Sequence, residues 1–200
     1  MFPPRRLLSA FALLAALMTA ACGTPPDKEL QQAQTAIEAA RAAGADRFAA
    51  EEFAAAQSAL ARANDAVAQR DYRLALNNAL DARERAQNAV RDATSRMAAA
   101  RKDAESALTG AAAALADARA KLRAAETGRV PAATLADARS RIALAEKGVQ
   151  EARTASSGGN YQAAIDSAAK TTATLRQISH DLQTAASAPA HRRRPAPRKS

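Results

Sequence analysis

Positions 86, 90, 93, 97, 100, 104, 107, 111, 114 and 118 are Ala, Val, Ala, Met and then six Ala, an unbroken alternation of four-residue and three-residue steps. Only a helix brings positions so spaced to one side of the chain. A seam of small side chains that excludes Lys and Arg suits a helix lying close against other helices. Ala fills 61 of the 200 positions, with no Trp, two Tyr and four Phe. That composition favours helix and leaves little β-branched or aromatic material for a sheet. The expected fold is all-α, an elongated antiparallel helical bundle or coiled coil with thin apolar seams. If residues 71 to 126 form one helix, it would be about 80 Å long. Gly110 is its expected kink, since an interior Gly costs about 1 kcal/mol relative to Ala.

Two further stripes show that the body is a duplication. Positions 53, 56, 60, 63 and 67 are Phe, Ala, Leu, Ala and Val, and positions 135, 138, 142, 145 and 149 are Leu, Ala, Ile, Ala and Val, 82 residues later. Beyond them Asp71-Tyr72 aligns with Asn160-Tyr161 at a shift of 89. The seven-residue difference gives the second copy either a helix two turns longer or a loop, and Ser156-Ser157-Gly158-Gly159 favours a loop for its last part. Gly44 and Gly128 read as C-terminal caps, Pro131 as a first-turn residue, and Asp71 and Asn160 as N-caps. Two imperfect three-helix repeats result, at 27–97 (helices 27–43, 48–69 and 71 to about 97) and 98–186 (about 98–126, 131–155 and 160–186), sharing a long central helix. Asp81 with Arg85, Asp92 with Arg96 and Asp117 with Lys121 are spaced as same-helix ion pairs on a solvated face.

The formal charge of +9 belongs to the ends of the chain. Arg5, Arg6, Arg192, Arg193, Arg194, Arg198 and Lys199 are seven of the 29 basic residues, so the remaining 22 face all 20 acidic ones and residues 23 to 190 carry only +2. Residues 1–21 read as a signal peptide: Arg5 and Arg6, the apolar run from Leu7 to Met18, then Thr19-Ala20-Ala21 before a cleavage point. That run is too short for a comfortable membrane span. Residues 22–26 form a linker whose Pro25-Pro26 cannot continue a helix. Residues 187–200 read as a disordered, Pro-rich basic tail. Its Arg192, Arg193, Arg194, Arg198 and Lys199 are candidate contacts for an anionic envelope polymer such as peptidoglycan or lipopolysaccharide. Nucleic acid is disfavoured, because the tail has no aromatic residue for stacking.

The order of basic segment, apolar run, small residues and Cys22-Gly23 resembles a bacterial lipoprotein signal. The resemblance implies that Cys22, the only cysteine, is lipidated and becomes the first residue of the mature chain. With Gly23 and not Asp following, it implies the outer membrane, with the body on the periplasmic face. Thr19 departs from the usual Leu, Val or Ile and leaves open ordinary cleavage after Ala21, with Cys22 a free thiol. The stretch from Ser58 to Leu76 and that from Gly159 to Ile165 look like helix-turn-helix junctions of tetratricopeptide repeats, without the strict repeat length. With Phe48-Ala49-Ala50-Glu51-Glu52-Phe53 and Asp71-Tyr72, the chain resembles the envelope-lipoprotein family known as domain of unknown function forty-three ninety-eight. The likeness runs over residues 20 to 95 and, more weakly, to 185. It implies compartment and fold, with no activity or functional residues.

Catalytic and metal chemistry find little footing in the residue pattern. His180 and His191 are the two histidines, and neither has Cys or carboxylate neighbours at ligand spacing. Gly158-Gly159 lacks the strand and Lys of a phosphate loop. Tyr72 and Tyr161 sit where rings would close a hairpin turn against Leu76 and Ile165. The expectation is therefore a noncatalytic, lipid-anchored envelope protein with no cofactor and no metal, acting as a periplasmic helical spacer or scaffold. The alternative is a tetratricopeptide-like module for an envelope assembly partner whose identity the sequence leaves open.

Overall fold

A computed structural model describes residues 23 to 187. Among them are six helices and no strand: α1 (Asp27–Ala42), α2 (Ala45–Phe48), α3 (Ala50–Ala68), α4 (Tyr72–Glu126), α5 (Ala132–Ser157) and α6 (Tyr161–Ser187). The fold is all-α. The chain forms two compact units that divide between Met97 and Ala98, inside α4. Helix α4 is unbroken over 55 residues and stays helical through Gly110.

In the first unit α1, α3 and the N-terminal part of α4 pack through alanine. On α4, Ala75, Ala79, Ala82, Ala86, Ala89 and Ala93 are all fully buried, in the four-three spacing of a single helix face. Ala82 meets Ala33 of α1 and Ala59 of α3 in one cluster. Phe53 and Ile37 are the large members of the neighbouring cluster, and the Arg41 guanidinium lies 5.7 Å from the centre of the Phe53 ring. The expected helix start at residue 48 is replaced by the extra turn α2 and a new start at Ala50. Gly44 ends α1 at φ +78°, where a side chain would be strained, and the Phe48 ring folds back over it. Ala49, at φ −142°, then breaks the helical path before α3.

The second unit packs α4 from Ala98 onward, α5 and α6 around larger side chains. Leu175, Ile178 and Leu182 of α6 are buried against Ile142 and Ala138 of α5 and Ala118 and Ala125 of α4. Leu115 and Leu122 lean against this cluster, and Leu108 against the next one. Buried alanines on this part of α4 recur every seven residues, at 104, 111, 118 and 125. The expected seam is therefore real over most of its length, with one gap: Met97 is 37% exposed and residues 94 to 99 are all exposed.

Both hairpin turns are built alike. The Arg70 and Asp71 amides donate to the Val67 and Ala66 carbonyls, and the Gly159 and Asn160 amides donate to those of Ser156 and Ala155. This double bond pattern closes a helix with one residue in the left-handed region. The first copy puts Arg70 there, at φ +59°, and the second puts Gly159, at φ +74°. Asp71 caps α4 as expected, its Oδ1 accepting from the Leu74 amide at 3.0 Å. Gly128 instead follows α4 without a left-handed φ, and the Gly128 amide donates to Ala125 at 3.1 Å. The seven extra residues of the second copy resolve as helix: α5 has 26 residues and α3 has 19. The Thr154 and Ser157 hydroxyls bond back to carbonyls one turn earlier, which lets Ser-Ser continue the helix.

Gly148 sets the spacing of α5 and α6. A Cβ at this position would lie 2.5 Å from Thr171 Oγ1, and Thr171 is buried. Thr is stiff at χ1, so the clash outweighs the helix propensity gained. Gly148→Ala should lower stability by about 1–2 kcal/mol in thermal unfolding. Thr171→Ala in the same chain should restore it.

Candidate functional site

The residues that the sequence singles out, Cys22 at one end and Arg192, Arg193, Arg194, Arg198 and Lys199 at the other, lie outside the described residues, as does His191. Among the described residues no group of three or more His, Cys, Asp or Glu could hold a metal ion, and no helix is long and apolar enough to cross a membrane. His180 is 73% exposed, with Nδ1 4.0 Å from Asp181 Oδ1 on the surface of α6.

Polar side chains converge at three places. In the first unit, α1 and α4 flank a groove of about 600 Å³ lined by Gln31, Gln32, Thr35, Arg83 and Val90. Arg83 Nη1 donates to Gln32 Oε1 across it at 2.7 Å. In the second unit, α5 and α6 flank a groove of about 720 Å³ that holds Leu144, Gly148, Lys170 and Thr171. Leu144 lines it and is the most exposed large apolar residue among the described residues. The third place is a smaller cleft of about 350 Å³ at the turn between α5 and α6, lined by Arg101, Glu105, Leu108, Arg153, Ser156 and Tyr161.

This cleft escapes a reading of the sequence because its parts come from three helices. Arg101 lies near the end of the exposed stretch of α4, Arg153 and Ser156 lie in the two turns by which α5 exceeds α3, and Tyr161 opens α6. The one signal in the sequence is the seven-residue difference between the copies. Tyr161 is half-buried and lines the cleft. Arg101 Nε donates to Glu105 Oε1 at 2.8 Å. That bond, with the charges of Glu105 and Tyr161, raises the Arg101 guanidinium above its ordinary pKa.

The ion pairs expected as a solvated face do more than that. Asp117 Oδ2 accepts from the buried Ser179 hydroxyl of α6 at 2.7 Å and faces Lys121 Nζ at 3.1 Å. Asp181 Oδ2 accepts from Arg141 Nη1 of α5 at 2.9 Å. The Ser179 hydrogen bond holds the Asp117 carboxyl below the usual carboxylate range, with Lys121 adding to it, and Arg141 does the same for Asp181, aided by Gln177. In the first unit Asp81 binds Arg85 on its own helix at 2.9 Å and Arg62 of α3 at 3.4 Å. Asp92 and Arg96, 4.0 Å apart, remain a surface pair. No known protein family, characterised protein or solved structure matches this chain.

Because Asp117 and Asp181 are more acidic in the folded protein than in the unfolded chain, protonating them favours unfolding. Their contribution is complete above the unfolded Asp value of about 4 and is lost as pH falls through the lower folded values. Both are half-exposed, so the loss is modest. Melting temperature should fall as pH drops from 6 to 2.5, and Ser179→Ala should flatten that fall. An unchanged profile in Ser179→Ala would show that the Asp117 contact contributes nothing.

Proposed function

We propose that this chain is a noncatalytic, lipid-anchored protein of the bacterial cell envelope, held on the periplasmic face of the outer membrane through Cys22, with its helical body serving as a spacer or scaffold. The observation that carries the proposal is the order of residues 1 to 23: two Arg, an apolar run, small residues, then a solitary cysteine followed by Gly. Acyl chains contribute about 0.8 kcal/mol per buried methylene, so a multiply acylated Cys22 would hold the body firmly at a membrane. The resemblance to the envelope-lipoprotein family known as domain of unknown function forty-three ninety-eight belongs to the same proposal. A spacer role draws support from the uninterrupted 55 residues of α4. The basic residues 192 to 199 are assigned contact with an anionic polymer, peptidoglycan or lipopolysaccharide, by their charge.

A second reading, a tetratricopeptide-like module for an assembly partner, is favoured by the grooves between α1 and α4 and between α5 and α6. Crosslinking in intact envelopes separates the two: a module yields one recurrent protein partner and a spacer does not.

Metabolic labelling with a palmitate analogue tests the anchor. The full chain should incorporate label and partition with outer membranes, and Cys22→Ala should lose both. Label retained by Cys22→Ala would contradict the proposal. In the same fractions, deleting residues 191 to 200 should abolish salt-sensitive retention on purified peptidoglycan or lipopolysaccharide, and unchanged retention would remove the tail from the account.

A further inference from the structure

The cleft at the α5–α6 turn has more chemistry than the fold requires. Its two cations are in different states. Arg101 is engaged by Glu105 through Nε, a bond in which its two terminal nitrogens take no part. Arg153 makes no ion pair among the described residues. Tyr161, Ser156, Ser157 and Leu108 line the same cleft. Two guanidinium groups against one carboxylate leave a net positive charge. Guanidinium donors match the paired oxygens of a carboxylate or phosphate.

The internal duplication separates fold from function here. The first copy closes the same turn, with the same pair of backbone bonds and the same Tyr at the next helix start, on a helix seven residues shorter. The added residues carry Arg153 and Ser156. Turn closure therefore does not need them, and an exposed Arg on an added stretch of helix is not part of the core.

We propose that this cleft binds a small acidic sugar, a monosaccharide bearing a carboxylate or a phosphate, with Arg153 and Arg101 on the oxyanion, the Ser156 hydroxyl on a sugar hydroxyl, the Ser157 oxygen, whose proton is held by the Thr154 carbonyl, accepting from another, and the Tyr161 ring against its face. The cleft volume of about 350 Å³ is at the small end of ligand sites, the size for one sugar ring and not a chain of them. Glu105 lies beside the oxyanion position and works against binding; its bond to Arg101 limits that repulsion. The inference goes beyond the scaffold reading and stands or falls apart from it, since it rests on neither Cys22 nor the tail.

Isothermal titration of the full chain in detergent with glucuronate, glucose 6-phosphate and glucose tests it. At least one of the two acids should bind about ten-fold or more tighter than glucose, and Arg153→Gln should remove about ten-fold or more of that affinity. Arg153→Gln should leave the melting temperature unchanged, and Glu105→Gln should tighten binding. Binding by glucuronate alone or by glucose 6-phosphate alone supports the cleft and identifies its oxyanion. Equal affinity for all three sugars, or a preference that survives Arg153→Gln, overturns the proposal. So does a preference lost when Arg192, Arg193 and Arg194 are all replaced by Gln, because the basic tail would then be the binding element.

Discussion

Close approach of helix backbones across alanine is the interaction on which this structure depends. Apart from Pro26, Ile37, Phe53, Val130, Ile142, Val149, Leu175, Ile178 and Leu182, the buried apolar side chains among the described residues are all alanine. One methyl group buries little area, worth about 0.8 kcal/mol per carbon, so stability must come from many such contacts along long helices. The four-three spacing of alanines on α4 follows from that need. Gly148 takes the same logic a step further, allowing α5 to come within contact of Thr171 where even a methyl group is too large. Larger residues enter where three helices leave room, as Leu175, Ile178 and Leu182 do in the second unit.

Much of this was legible in the sequence, for a physical reason. A helix that packs by one face must repeat its small residues at three and four, and that period survives even where alanine is common on every face. The duplicated turns were legible too, because Asp71-Tyr72 and Asn160-Tyr161 place a small polar residue and a bulky one at a fixed distance from an apolar stripe, although only Asp71 caps its helix through its side chain. The lengthening of α5 was only half legible. Ser and Gly are weak helix formers, yet Thr154 and Ser157 satisfy their hydroxyls on carbonyls of their own helix, and the left-handed residue comes only at Gly159. In the first copy the same left-handed position is held by Arg70, which gives no such signal.

What stayed hidden depends on partners distant in the chain. Asp81 and Asp117 pair with the basic residue four places on, as spacing indicates, but their second partners, Arg62 and Ser179, become neighbours only when α3 and α6 pack. The cleft joining Arg101 to Arg153 is of the same kind. Met97 fits the seam by spacing and is nonetheless exposed, as are all of residues 94 to 99. The residues that carry the functional proposal, Cys22 and the basic tail, rest on sequence chemistry alone.

The proposed scaffold role would favour long helices over a thick core, and an alanine seam is what lets long helices pack. The seam itself is open to one direct measurement. Ala82 is fully buried between Ala33 and Ala59. If close approach holds the first unit together, thermal unfolding of Ala82→Leu should show a loss of about 1–3 kcal/mol, the cost of forcing extra methylenes into a filled seam. A melting temperature equal to or above that of the unaltered chain would contradict the account, because the helices would then have room that alanine was not needed to remove.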